Sequence, residues 1–136
     1  MMRSFESPPR SQEVLSIFKQ ALTDADFEDG LMLVPITEMA DRDALSQVAD
    51  FLLPTEGVRI VIAYGVRMSK VILSVRSSDD SMHVGRILTR TFEKGSAGGH
   101  KALAGGQIPF EELGCENPKE AMESITKILK SAFGGE

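Results

Sequence analysis

The sequence predicts one domain of the α+β class (α/β in the broad sense), a mixed β-sheet of four to five strands packed with helices. Three observations predict it. Two runs rich in β-branched residues, Val58 to Gly65 and Lys70 to Ser77, are separated only by Val66 to Ser69 and read as an antiparallel hairpin. Segments with apolar residues at helical spacing lie on both sides of that hairpin. A chain of 136 residues, 42% hydrophobic and 26% charged, suffices for one core and is short for two.

In chain order, residues 1–10 contain Pro8-Pro9 and read as a tail or linker. Ser11 is placed to cap a helix reaching Asp24, with Val14, Leu15, Phe18, Ala21 and Leu22 on one face. Phe27 to Gly30 is acidic and ends in glycine, so a loop is expected; residues 11–29 together form a connecting helix and loop. Leu31 to Ile36 is a short apolar strand, and Pro35, which has no N–H to donate, assigns it to a sheet edge. Leu45, Val48, Ala49 and Leu52 mark a second helix that Pro54 closes. After the hairpin, Val84, Ile87, Leu88, Thr91 and Phe92 mark a short helix, a glycine loop follows, and Leu103 to Phe110 is a glycine-rich strand. The last helix has the fullest signals: Asn117 as cap, Pro118 in the first helical position, Glu120 completing a capping box, and Gly134 at the end.

Composition narrows the function classes. No apolar run approaches the roughly 18–20 residues that span a bilayer, and the N-terminus lacks the apolar core of a secretory signal, so a cytoplasmic protein with no membrane partner is expected. A single cysteine, Cys115, allows no internal disulfide. Residues 59–101 hold eight basic and three acidic residues, a segment charge of +5; with a total of −5, the remainder carries −10. A basic middle in an acidic chain suits a local anionic ligand better than a broad nucleic-acid coat; scattered, solvated charges are the plainer alternative.

The chemistry concentrates in Gly95 to Gly106, which holds five of the 12 glycines and, at its centre, His100. Such a backbone bends through positive φ, and its consecutive N–H groups can cradle an anion. In the strand before it, Lys70, Ile72, Ser74 and Arg76 share one face, and Val71, Leu73, Val75 and Ser77 the other. Arg76 thus stands at a strand's carboxyl end, where a guanidinium can hold a phosphate through two parallel hydrogen bonds. The plainer readings are a surface arginine near Asp79 and Asp80, and a histidine that only shapes a turn. His83 reads as a cap or surface residue. No His, Asp, Glu or Cys cluster has metal-ligand spacing, and neither a phosphate-binding P-loop nor a nucleophile elbow is present.

Ser74-Val-Arg76-Ser77, a helix, Gly98-Gly99-His100 and Ala104-Gly105, in that order, resemble the DHH-associated domain of the first type, the C-terminal domain of DHH-family phosphoesterases. Its pattern is a Ser-x-Arg-Ser strand, a helix, and a Gly-Gly-Gly-His-x-x-Ala-Ala-Gly loop. The sequence departs from it at Ala97, where a third glycine is usual, and at Leu103, where the first alanine is usual. The resemblance implies that residues 30–136 are a substrate-binding domain. Arg76, Gly98, Gly99 and His100, with Ser74 and Ser77, would contact substrate phosphate. The partner would be an N-terminal DHH domain holding divalent metal, manganese in common cases, with no cofactor in this chain. No Asp-His-His tripeptide occurs here, so no catalytic residue is expected: the chain alone is expected to be inactive, and the full-length protein a phosphoesterase hydrolase. The ligand class is a nucleotide or short single-stranded nucleic acid, and a homodimer is compatible with the sequence. Two other readings stay open, a free-standing nucleotide or single-stranded nucleic-acid binding module and a structural or oligomerising domain.

Overall fold

The computed structural model describes residues 11–37 and 41–134; the tail expected at residues 1–10 lies outside them. Ser11 caps α1 (Gln12–Asp24), its hydroxyl accepting from the Val14 N–H at 3.1 Å. The acidic segment that follows is not a plain loop. Asp26–Glu28 forms a three-residue strand, β1, antiparallel to β2 (Leu31–Ile36). β2 is therefore not the outermost strand, yet β1 covers it only as far as Leu33. Among the described residues no strand pairs with the outer edge of the half of β2 that carries Pro35, where a missing N–H leaves no ladder bond unmade.

Asp41 caps α2 (Arg42–Leu52) by accepting from the Ala44 N–H at 2.9 Å. This helix crosses to β3 (Ile60–Arg67), which lies parallel to β2. β4 (Lys70–Ser77) returns antiparallel, so the expected hairpin is present, and its turn is tighter than expected, only Met68-Ser69. Met68 takes φ 60°, the left-handed conformation such two-residue turns require. His83 caps α3 (Val84–Thr91), and β5 (Ser96–Gly99) and β6 (Leu103–Pro109) form a second hairpin. The four-residue α4 (Phe110–Leu113) and the long α5 (Pro118–Phe133) complete the chain. Asn117 caps α5 at 2.9 Å from the Glu120 N–H, while the Glu120 carboxylate accepts from Glu116 rather than from Asn117.

The sheet is mixed, with order β1-β2-β3-β4-β6-β5. Its six strands exceed the four to five expected because Asp26–Glu28 and Ser96–Gly99 carry no β-branched signal. Two cores lie on its two faces. On one, Ile17 and Ala21 of α1 and Leu45, Val48 and Ala49 of α2 meet Val34, Val61, Ala63 and Ile72. On the other, Leu88 of α3 and Ile125, Leu129 and Phe133 of α5 meet Ile60, Ile62, Leu73, Val75 and Ile108.

Tyr64 is the largest fully buried side chain of the second core. Its hydroxyl lies 2.6 Å from Thr126 Oγ1, and Thr126 itself donates to the Met122 carbonyl at 2.8 Å, so Tyr64 is the donor. Burial raises the tyrosine pKa above its ordinary value. A raised folded-state pKa means that stability from this group is present below the unfolded value near 10 and is lost as pH rises through the folded value. Tyr64→Phe is expected to lower unfolding free energy by about 1 kcal/mol at neutral pH. It should also flatten the alkaline loss of stability, measured by denaturant titration between pH 8 and 11; an unchanged alkaline profile would count against this account.

Candidate functional site

The site is assembled at one end of the sheet, where the carboxyl end of β4, the β5–β6 turn and the start of α3 converge. Backbone hydrogen bonds tie them. The Ser77 N–H donates to the Ala102 carbonyl at 2.9 Å, Val84 N–H to Lys101 at 3.0 Å, and Gly85 N–H to His100 at 3.0 Å. The turn closes on itself through His100 N–H to the Leu103 carbonyl at 2.8 Å. The expected glycine loop is thus a hairpin, with Gly98 and Gly99 inside β5 and His100 at its exposed tip.

Two glycines permit this approach. Gly99 takes φ +145°, and a Cβ on it would stand 2.7 Å from the Ala104 Cα. A Cβ on Gly85 would stand 2.2 Å from the Gly99 carbonyl oxygen. The first turn of α3 is consequently filled. Two of its N–H groups bond to the hairpin carbonyls, Arg86 N–H bonds to His83 Nδ1 at 3.1 Å, and Ile87 N–H to the His83 carbonyl at 3.2 Å. The hairpin offers α3 carbonyls, and any anion at this end must be met by side chains or by outward-facing backbone of the turn.

Arg76 lies on β4 directly across from Leu103 of β6, next to that turn. Its acidic partner is Asp50 of α2, not the nearby Asp79 or Asp80: Nε sits 2.7 Å from the Asp50 carboxylate, and Nη1 donates to the Val75 carbonyl at 3.0 Å. Among the described residues these contacts leave the Nη2 amino group without a partner, and Asp50 itself is well exposed. Asp79 instead pairs with Arg59 at 2.7 Å. Hydrogen bonds from Ser81, then Arg59, lower its pKa to about 2.

Ser74 shares the Arg76 face as the alternation predicts, and is buried with its hydroxyl 3.0 Å from that of Ser46 on α2. Ser46 and Asp50, one turn apart, therefore form a polar seam over Ser74 and Arg76. Ser77 is buried on the opposite face, where its hydroxyl accepts from the Asp79 N–H at 3.0 Å. The structure thus gathers Arg76, Gly98, Gly99 and His100 at one end, and engages both serines in internal hydrogen bonds.

The two departures from the family pattern have different surroundings. Ala97 turns into the core and stands opposite Gly106, where a second Cβ would come within 2.6 Å. Leu103 stays half exposed beside Arg76. Helical cover over β5 and β6 comes from α3 and α4, on the face opposite Arg76. His83 is a cap, as its position before α3 suggested. Sequence reasoning missed Asp50 and Ser46, since neither carries a local signal linking it to β4.

Among the described residues no three His, Cys, Asp or Glu side chains converge as metal ligands. Nor is any helix there long and apolar enough to cross a membrane.

Fold and site together define an α+β domain in which a Ser-x-Arg-Ser strand is clamped to a Gly-Gly-His hairpin. The chain belongs to the DHHA1 domain family, which it matches over residues 29–135. It is 29% identical over 128 residues to an uncharacterized protein of Methanocaldococcus jannaschii, covering 93% of this chain and 26% of that protein. An exopolyphosphatase-related protein from Bacteroides fragilis shares the fold at TM-score 0.68 and 15% identity, over 90% of this chain and 36% of that one. A pGpG-specific phosphodiesterase from Vibrio cholerae shares it at TM-score 0.54 and 16% identity, over 86% and 39%. The chain thus spans between about a quarter and two fifths of these proteins.

Proposed function

We propose that this chain is the substrate-binding C-terminal part of a metal-dependent DHH-family phosphoesterase, and that Arg76, Gly98, Gly99 and His100 receive a phosphate of a nucleotide or short oligonucleotide. The observation that carries this reading is the backbone clamp that fixes the end of β4 against the hairpin tip, placing a guanidinium and an imidazole at one end of the sheet. The names of the two structural neighbours, which refer to polyphosphate and to a dinucleotide, support phosphate as the shared ligand chemistry. Their greater length supports a further domain in the working protein, which in this family would be the DHH domain. Divalent metal held there would activate water and neutralise phosphoryl charge. The residues of this chain would bind and orient: Arg76 turns from Asp50 to the phosphate with its fork of donors, and His100 donates a hydrogen bond from the tip.

Titration calorimetry of the chain with adenosine 5′-monophosphate and with adenosine tests the reading. The nucleotide is expected to bind and the nucleoside not to. Equal binding of both, or no heat and no thermal shift with either at millimolar concentration, would overturn it.

A further inference from the structure

Three consecutive carbonyls of the β5–β6 turn, those of His100, Lys101 and Ala102, accept from the N–H groups of Gly85, Val84 and Ser77, at 3.0, 3.0 and 2.9 Å. The three donors flank one short linker, residues 78–83, which joins β4 to α3. The shape of this linker therefore sets where the hairpin tip stands. Its six residues belong to no helix or strand, so no backbone ladder of their own holds them. Asp79 supplies the order instead. Its N–H donates to the Ser77 hydroxyl at 3.0 Å, and its carbonyl accepts from the Met82 N–H at 3.2 Å. One carboxylate oxygen accepts from the Ser81 N–H at 2.9 Å and from the Ser81 hydroxyl at 2.6 Å; the other accepts from Arg59 Nη1 at 2.7 Å. A single residue thus grips the linker from Ser77 to Met82. Arg59 gives that grip a fixed base: its N–H donates to the Gly30 carbonyl at 2.7 Å and its Nη2 to the Asp29 carbonyl at 2.9 Å. A Cβ on Gly30 would stand 2.5 Å from the Arg59 Nε, so only a glycine in that turn leaves room for the arginine.

We infer that Asp79 is a positioning residue for the phosphate site: through the linker it holds the hairpin tip, and His100 with it, in place beside Arg76. The inference rests on the function proposed above and adds to it a residue that touches no ligand. Both carboxylate oxygens are engaged, and only 17% of the side chain is exposed. The sign of its effect separates positioning from charge. By Coulomb's law alone, removing a carboxylate from the end of the strand that carries Arg76 would tighten the binding of an anion. Losing the order of the linker would weaken it.

The test titrates adenosine 5′-monophosphate into the wild-type chain and into Asp79→Ala, Asp79→Asn and Ser81→Ala, and follows amide hydrogen exchange on the same proteins. Asp79→Ala is expected to weaken binding about tenfold, the equivalent of one charge-assisted hydrogen bond, as His100 leaves its place. Asp79→Asn keeps an acceptor for Ser81, and Ser81→Ala keeps the carboxylate and its charge, so both should fall between wild type and alanine. The N–H groups of Ser77, Val84 and Gly85 should exchange about tenfold faster in Asp79→Ala, while that of Ile62 in β3 follows global stability alone. Unchanged or tighter binding in the variants that fold, or unchanged exchange at those three amides, overturns the inference. A wild-type chain that does not bind the nucleotide, or binding that ignores Arg76→Ala, overturns the phosphate site instead, and the exchange rates then still decide whether Asp79 sets the tip.

Discussion

Gly85→Ala is expected to destabilise the protein by about 3–5 kcal/mol, a large share of the roughly 5–15 kcal/mol that holds a domain together. In an isolated helix the change would help, by about 1 kcal/mol of propensity. Here the new methyl would sit 2.2 Å from the Gly99 oxygen, 2.4 Å from its carbon and 2.9 Å from the His100 oxygen. All three are backbone atoms of a hairpin pinned by hydrogen bonds from Val84 and Gly85, so no side chain can swing aside. Parting α3 from the hairpin would give up those two hydrogen bonds, about 1 kcal/mol each, on top of an overpacking cost of roughly 1–3 kcal/mol or more. Gly114→Ala makes the comparison. Gly114 has φ +68° but nothing within 4 Å of a Cβ, so only the left-handed strain, about 1–2 kcal/mol, should appear. Denaturant unfolding of the two variants measures both. A Gly85 variant within 1 kcal/mol of wild type would mean that the helix–hairpin clamp is not rigid, and the geometry of the proposed phosphate site would lose its foundation.

That clamp also shows where the sequence was readable and where it was not. The β3–β4 hairpin was visible because two β-branched runs pair with each other and both lie between helices, so propensity and burial agree. α5 was visible because Asn117, Pro118 and Glu120 act within a single turn. β1 was invisible for the converse reason: Asp26, Phe27 and Glu28 are all exposed, and only pairing with β2 makes them a strand. β5 is harder still, since glycine disfavours strands; Ser96 to Gly99 is extended because β6 and α3 hold it there. The face shared by Ser74 and Arg76 followed from strand alternation alone. The partner of Arg76 did not, because Asp50 lies 26 residues earlier on a helix whose packing over β4 is a tertiary fact. The basic segment similarly gave a sum without a location. Arg59 and Arg76 turn out to be paired, while Arg86 and Arg90 gather beside the hairpin.

Removing the guanidinium of Arg76 is expected to weaken nucleotide binding at least tenfold, and about a hundredfold if two charge-assisted hydrogen bonds of roughly 1.5 kcal/mol each are lost. The effect on folding should be smaller. Asp50 is largely exposed, and ion pairs of that kind contribute about 0–1 kcal/mol; the packed stem of Arg76, with only 11% of the side chain exposed, adds the rest. Arg76→Lys should keep the charge and lose the fork, falling between wild type and alanine in affinity. The decisive variant is on the other side of the ion pair. On the proposed reading Asp50 would compete with the incoming phosphate for the same guanidinium, so Asp50→Asn should tighten nucleotide binding several-fold while slightly lowering stability. Were Arg76 only a strut between β4 and α2, both Arg76→Ala and Asp50→Asn would lower stability and leave affinity alone. Calorimetric titration of adenosine 5′-monophosphate into the three variants, with melting temperatures taken on the same samples, separates these cases: opposite signs at the two positions identify a ligand-binding arginine held in reserve by a carboxylate, and parallel losses of stability alone identify a strut.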